Sequence, residues 1–179
     1  MRIISFTANK LKTWLRRENG SVTLEFIILF PAILILFLAS LEISFYMSRI
    51  SMLERALDQN IRLLRLGGLQ PATHEQLVFQ ICGDAMFSTS CPDDVLIELT
   101  PISTDTWNMP ERSVTCVNRD EDIEPVINFQ PGRENEIMLV RACAIVDPIF
   151  ASTAFTLGMP KAAENGFLIT AASTFVNEP

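Results

Sequence analysis

The sequence is constrained most by a junction near its amino terminus, where a basic segment meets a long apolar run. Arg16 and Arg17 end the basic segment, and the sixteen residues from Phe26 to Leu41 are largely apolar. Glu25 stands at the entrance to this run. Because a carboxylate near the centre of a membrane helix costs roughly 2.5 to 3.5 kcal/mol, an acidic residue in such a segment indicates a function. The junction therefore predicts a membrane segment with a functional glutamate.

The apolar character continues from Val22 to Met47, which at 1.5 Å per residue would span about 39 Å and exceed the hydrocarbon core of a bilayer. Pro31 lies inside this span and is expected to kink the helix. Five basic residues precede the run, whereas Arg49 alone follows it closely. The positive-inside rule then predicts a cytoplasmic amino terminus and a translocated carboxyl-terminal domain.

Charge and cysteine content characterise the remainder of the chain. Residues 1–66 carry a net charge of +4 and residues 67–179 a net charge of −11, which argues against binding to nucleic acid. The acidic part contains all four cysteines, Cys82, Cys91, Cys116 and Cys143. An even number in a translocated domain predicts two disulfides in an oxidising periplasm. Three pairings are possible, and proximity in sequence favours Cys82 with Cys91 and Cys116 with Cys143.

The junction resembles a known kind of processing site. A glycine followed by four residues and then a glutamate is similar to the cleavage site of type IV pilin-like precursors. The run from Asn19 to Pro31, NGSVTLEFIILFP, resembles the TadE-like family of pilus-assembly proteins of the tight-adherence (Tad, Flp) systems. The ending FVNEP is also similar to endings in that family. The resemblance implies that a prepilin peptidase cuts after Gly20, that Ser21 becomes the amino terminus, and that Glu25, followed by Phe26, becomes the fifth residue.

The resemblance also implies a function and a set of partners. The chain is expected to be a non-enzymatic minor pilin-like (pseudopilin) component in assembly of a bacterial Flp type IV pilus, anchored in the inner membrane by a single span. Its expected partners are the prepilin peptidase, the major pilin, other minor pilin-like proteins and inner-membrane platform proteins. In related proteins the glutamate pairs with the amino terminus of a neighbouring subunit. A pair between Glu25 and Ser21 within one chain is the alternative.

Other interpretations of the amino terminus remain open. The chain is alternatively an uncleaved, single-pass, membrane-anchored periplasmic module with a binding or enzymatic function. A cleaved secretory signal would have a shorter apolar region than the one here. A mitochondrial presequence could be formed by residues 1–17 but does not explain Gly20 and Glu25. Residues 1–20 are interpreted as a basic cytoplasmic leader, with an amphipathic pattern suited to the membrane surface.

Apolar residues continue to recur every three or four positions beyond the membrane segment, which predicts that the helix continues. Gly67 and Gly68 supply its stop signal, so one helix is predicted over residues 21–66. The apolar positions on its expected inner face are Ile43, Met47, Ile50, Leu53, Leu57, Ile61 and Leu64.

The remaining residues, 67–179, predict a periplasmic α+β domain. Thr73 can cap a helix from His74 to about Phe87. Strands rich in β-branched residues are predicted over residues 94–102, 136–146 and 167–175, with a loop over 118–136 and a short helix near 149–157. The predicted fold is a pilin-like lollipop, in which a long transmembrane helix packs on a small antiparallel sheet with one or two short helices.

The remaining candidate residues favour structural roles, and no catalytic, cofactor-binding or metal-binding residue is predicted. Glu42 is expected at the membrane interface, where its side chain reaches water. The acidic cluster Asp120, Glu121, Asp122 and Glu124 lacks the spacing of a calcium-binding loop and is interpreted as a solvated surface. His74 has no catalytic motif around it, and the cysteines lack the CxxC spacing of redox or zinc sites.

Overall fold

The computed structural model describes residues 21–69, 72–84, 91–107, 109–110, 116–117, 119, 128–150, 158, 161–163 and 166–178. Its elements in chain order are α1 (Ser21–Arg65), α2 (His74–Asp84), α3 (Cys91–Asp94), β1 (Val95–Ile102), β2 (Ile137–Val146), β3 (Lys161–Ala163) and β4 (Gly166–Val176). The chain forms two compact units, residues 1–41 and residues 42–179, called the first and second units below. The predicted leader, the acidic cluster at 120–124 and most of the predicted helix near 149–157 lie outside the described residues.

The long helix is confirmed and ends one residue earlier than predicted, at Arg65. Its end is closed by two backbone hydrogen bonds, from the Gly67 N–H to the Leu64 carbonyl at 3.1 Å and from the Gly68 N–H to the Leu63 carbonyl at 2.8 Å. This pair of bonds is a Schellman motif, which satisfies carbonyls left open at the end of a helix. The motif needs a left-handed residue, and Gly67 provides it with a φ of 66°. The helix therefore stops where the two glycines predict.

The sheet of the second unit has the strand order β1-β2-β4-β3, and all of its strands pair antiparallel. The three strands predicted from β-branched composition are confirmed, each within one residue at either end. The three-residue β3 is an additional strand, which pairs with the first residues of β4. The predicted α+β class, with a long helix, an antiparallel sheet and short helices, is confirmed.

One face of the sheet packs against helices and forms the core of the second unit. Alternate residues of the three long strands supply this face, including Ile97, Val140 and Ile169. The carboxyl-terminal half of α1 supplies Leu53 and Leu57, both almost completely buried. Burial of a large aliphatic side chain stabilises a fold by about 1.5–3 kcal/mol. From Ile50 onward, the predicted apolar face of α1 therefore serves the core of this unit. Ile43 and Met47 were predicted on the same face, but they are 38% and 56% exposed.

The opposite face of the sheet is also buried over β1 and β2. Leu96, Glu98 and Thr100 are each less than a tenth exposed. Glu98 forms a salt bridge of 2.6 Å with Arg141 on the neighbouring strand, and both side chains are largely buried. A disulfide joins Cys116 to Cys143, whose side chain lies on this same face. Because a buried carboxylate is costly without a partner, Arg141 is what allows Glu98 to lie inside the fold.

The short helix α2 begins as predicted. Thr73 Oγ1 accepts a hydrogen bond from the Gln76 N–H at 3.3 Å, which is the cap expected for this residue type. The helix runs to Asp84, and residues 85–90, which include the predicted end at Phe87, lie outside the described residues. A second disulfide joins Cys82 near the end of α2 to Cys91 at the start of α3. The two disulfides are the pairs that proximity in sequence favours.

Candidate functional site

The residues expected to carry function lie at the amino-terminal end of α1. Ser21 is the first residue of the helix, and Gly20 lies outside the described residues. Glu25 follows Ser21 by four positions, a rise of about 6 Å along the helix, and therefore lies on the same side of it. Its side chain and that of Phe26 are exposed. Glu25 is also the only charged residue from Val22 to Leu41.

The helix surface that follows Glu25 is apolar on all sides. Twelve large hydrophobic side chains between Val22 and Phe37 are exposed, with Val22 at 76% and Leu36 at 71% of their maximal area. Covering such side chains contributes on the order of 20 kcal/mol in total, so water is not their final environment. A helix that is apolar all round is typical of a membrane span. The helix is also the one element among the described residues with the length and hydropathy to cross a membrane.

Two aromatic residues and a proline follow Glu25 within two turns. The rings of Phe26 and Phe30 stack, with their centroids 5.1 Å apart. Pro31 lies inside the helix and has no N–H for the carbonyl of Ile27, so the backbone ladder lacks one bond there. The helix continues through this position, and the predicted kink stays a prediction. The exposed surface therefore combines a carboxylate and an aromatic pair within a short length of helix.

Glu42 has a different environment from the one predicted. It belongs to the second unit, where it is only 3% exposed. Its two carboxylate oxygens accept hydrogen bonds from consecutive backbone groups, the Ile149 N–H at 3.1 Å and the Phe150 N–H at 2.8 Å. The prediction that Glu42 reaches water is wrong, because the chain after β2 brings two backbone donors to it. The burial of Glu42 has a signal in the sequence, because Glu42 lies on the same helical stripe as Tyr46, Arg49 and Leu53.

Further polar contacts hold the segment that follows β2. Arg49 Nη1 donates to the Asp147 carbonyl, and Arg119 Nη1 forms a salt bridge of 2.6 Å with the Asp147 carboxylate. Arg119 also binds both oxygens of the buried Asp94 carboxylate, at 2.6 and 2.7 Å. The hydrogen bond to Asp94 raises the pKa of Arg119 above its usual range, so its charge is fixed. We call this end of the second unit, which contains Glu42, Arg49 and Asp147, the Glu42 end.

The single histidine has a structural environment. The Nε2 atom of His74 accepts a hydrogen bond from the Ile97 N–H at 3.2 Å, and its ring meets Phe129 edge to face. The Nε2 atom of His74 is therefore hydrogen-bonded to the backbone of β1, which lies at one edge of the sheet. Over the part of the chain that the structure describes, no cluster of three or more His, Cys, Asp or Glu side chains is arranged to hold a metal ion.

A cleft of about 580 Å³ opens at the other end of the second unit, which we call the Arg65 end. It lies between the turn after α1 and the segment around Gly132 and Glu134, beside the last residues of the chain. Arg65 Nε donates to the Glu178 carboxylate at 2.8 Å along one wall. The cleft belongs to the second unit and lies far along the chain from Glu25.

The segment from residue 20 to residue 59 matches the family model described as TadE-like protein. The matched segment includes Gly20, Glu25 and most of α1, and ends before α2 begins. No curated protein and no solved structure matches the chain. The match confirms the resemblance to the TadE-like family that the junction predicts. Over residues 20–59, this chain is therefore similar to the TadE-like proteins.

Proposed function

We propose that this chain is a minor pilin-like (pseudopilin) component in the assembly of a bacterial tight-adherence pilus. The observation that carries the proposal is the placement of Glu25, the one charged side chain on the apolar amino-terminal half of α1. In this proposal a prepilin peptidase cuts after Gly20. The chain then acts through the helix rather than through catalysis, and no residue is assigned a catalytic role.

The chemistry of the new amino terminus supports a role for Glu25. Cleavage after Gly20 creates an ammonium at Ser21, and a free ammonium and a free carboxylate are both costly in an apolar environment. Pairing the two charges between neighbouring subunits would offset this cost and fix the register of one helix against the next. Pairing within one chain would also offset the cost but would set no register. The two arrangements are separable because only the first depends on a second subunit.

The proposed location follows from the same features. The first unit is anchored in the bacterial inner membrane, with the basic leader in the cytoplasm and the second unit in the periplasm. The prepilin peptidase acts on the precursor. The major pilin, other minor pilin-like proteins and inner-membrane platform proteins then contact the exposed surface of α1.

Processing is tested by the intact mass of the full chain, expressed with and without its prepilin peptidase. The expected result is a peptidase-dependent loss of residues 1–20, which Gly20→Leu blocks. Leu41→Ala serves as a control, since it changes a residue of α1 but leaves the junction intact. A full-length chain under every condition would contradict the proposal. It would favour the uncleaved membrane-anchored module, for which the cleft at the Arg65 end would be the first place to seek a ligand.

A further inference from the structure

The two edges of the sheet differ in how their backbone groups are occupied. On the β1 edge the Ile97 N–H donates to His74, while the Leu99 N–H and carbonyl bond to Asn128 and Gln130, each at 2.9 Å. On the opposite side, β3 pairs only with Gly166 and Phe167 at the start of β4. Among the described residues, no strand pairs with this side of β4 from Leu168 to Val176. We call this stretch the β4 edge.

The direction of each backbone N–H and carbonyl group on the β4 edge follows from the surrounding hydrogen bonds. The Asn177 N–H donates to the Glu136 carbonyl at 3.0 Å, so odd-numbered residues direct their N–H and carbonyl groups toward β2. The Leu168 carbonyl instead accepts from the Tyr46 hydroxyl at 3.1 Å. Because these directions alternate along a strand, the even-numbered residues direct their backbone groups outward. Beyond Leu168 they are Thr170, Ala172, Thr174 and Val176.

The sequence of the β4 edge lacks the features that normally protect an edge strand. Its nine residues, LITAASTFV, contain no charge and no proline. Natural edges are usually blocked by charged side chains, prolines, bulges or a covering segment. Thr170, Ala172 and Thr174 are exposed, and Val176 is 45% exposed. We propose that the β4 edge is a docking site at which an extended segment of another protein adds to the sheet as an antiparallel strand.

The helix above the sheet indicates the charge of this segment. The α2 helix lies on the β1 side, where His74 contacts Ile97 and where Asn60 of α1 donates to Asp84 at 3.1 Å. The opposite flank of α1 therefore faces the β4 side. Glu54, Asp58 and Arg65 follow one helical stripe on that flank, and Arg65 binds Glu178 just after β4. A strand added to β4 would pass beside the exposed Glu54 and Asp58.

The partner segment is therefore one with small or β-branched residues and with lysine or arginine on the side that faces α1. A second copy of β4 is a poorer fit, because its nine uncharged residues provide no cation for Glu54 and Asp58. The backbone bonds would supply affinity, and the charges would supply specificity. This site is independent of processing at Gly20, because all of its residues belong to the second unit.

The test uses a labelled nine-residue peptide, TKTVTKTVT, with acetylated and amidated ends, and the full-length chain in neutral detergent micelles. We expect saturable binding by fluorescence anisotropy. Ala172→Pro removes one outward N–H from the β4 edge and leaves the ladder to β2 intact, so it should weaken binding about tenfold or more. Glu54→Lys with Asp58→Lys should also weaken it. Equal binding to the parent chain and to Ala172→Pro would overturn the proposal.

A second measurement keeps the test decisive if Ala172→Pro does not fold. Hydrogen exchange resolved to single residues compares the amides of Thr170, Ala172 and Thr174 with those of Ala171, Ser173 and Phe175. The first set should exchange rapidly in the free chain and slowly with the peptide, while the second set should be protected in both. Protection of the first set in the free monomer would mean that the chain covers its own edge. A dimer that protects these amides would assign the edge to a second copy. Either result would overturn the proposal.

Discussion

The two halves of α1 belong to one continuous helix but present opposite surfaces. In the first unit the helix exposes apolar side chains in every direction, whereas in the second unit it buries one apolar stripe and exposes charges. Their glutamates differ in the same way, since Glu25 is exposed among apolar neighbours and Glu42 is buried among backbone donors. The comparison indicates that the first half is available for interactions outside the chain and the second half stabilises the domain.

The largest expected effect would come from removing the carboxylate of the first half. Glu25→Ala should reduce pilus assembly to background, because the new ammonium at Ser21 would have no partner in the apolar environment. The same substitution should leave the unfolding of the second unit unchanged. The measurement is pilus yield by electron microscopy, alongside urea unfolding of the purified full chain in detergent.

Glu75→Ala is the control for Glu25→Ala, because it removes an exposed carboxylate from the first turn of α2, in the second unit. This control should leave pilus yield near that of the parent chain. If Glu25→Ala assembled pili normally, the assignment of function to the first half of the helix would fail.

The next largest effect concerns apolar residues. Substitutions in the two halves of α1 should differ in how much they lower the stability of the second unit. Leu57 is 1% exposed in the core of the second unit, whereas Leu34 is 41% exposed in the first unit. Leu57→Ala should lower the free energy of unfolding of the second unit by about 2–5 kcal/mol, because it leaves a cavity in a packed core. Leu34→Ala should change that free energy by less than about 0.5 kcal/mol. Hydrogen exchange of the β2 amides measures both, and equal effects would show that the halves do not differ as described.

The sequence was sufficient to predict the features that depend on local patterns. The apolar period of α1, its glycine stop and the β-branched strands all depend on neighbouring residues, and each predicted boundary fell within a residue or two of the structure. The match over residues 20–59 likewise confirmed the resemblance carried by a short motif. Glu25 lies on an exposed stretch of helix, so its environment depends on neighbouring residues of the sequence. This environment could therefore be predicted without knowledge of the fold.

Features that depend on distant residues were not predictable in this way. The donors to Glu42 lie 107 and 108 positions along the chain, and no local pattern specifies which segment will reach it. The burial of Glu98 likewise depends on Arg141 of another strand. Arg119 joins Asp94 to Asp147 across three separate segments. Each of these polar contacts needs the tertiary fold before the partners can be named.

A smaller effect is expected at Glu42, and it tests whether the carboxylate is needed there. Glu42→Ala leaves the Ile149 and Phe150 N–H groups without their acceptor and should cost about 1–3 kcal/mol in the unfolding of the second unit. Glu42→Gln retains one acceptor oxygen and should cost less. The measurement is urea unfolding in detergent with both variants at one pH. Equal costs for Ala and Gln would indicate that packing, rather than hydrogen bonding, accounts for the loss.

The smallest effect is expected for Arg65, which also lies in the second half of α1 and also pairs with a distant residue. Its partner Glu178 is 43% exposed and Arg65 is 51% exposed, so water and salt screen the pair. Arg65→Ala should therefore cost no more than about 1 kcal/mol, and less in high salt. The contrast with Glu42 isolates burial as the variable, since both residues connect α1 to segments more than a hundred positions away. A loss at Arg65 as large as that of Glu42→Ala would contradict this interpretation, because exposure would then not determine what these contacts contribute.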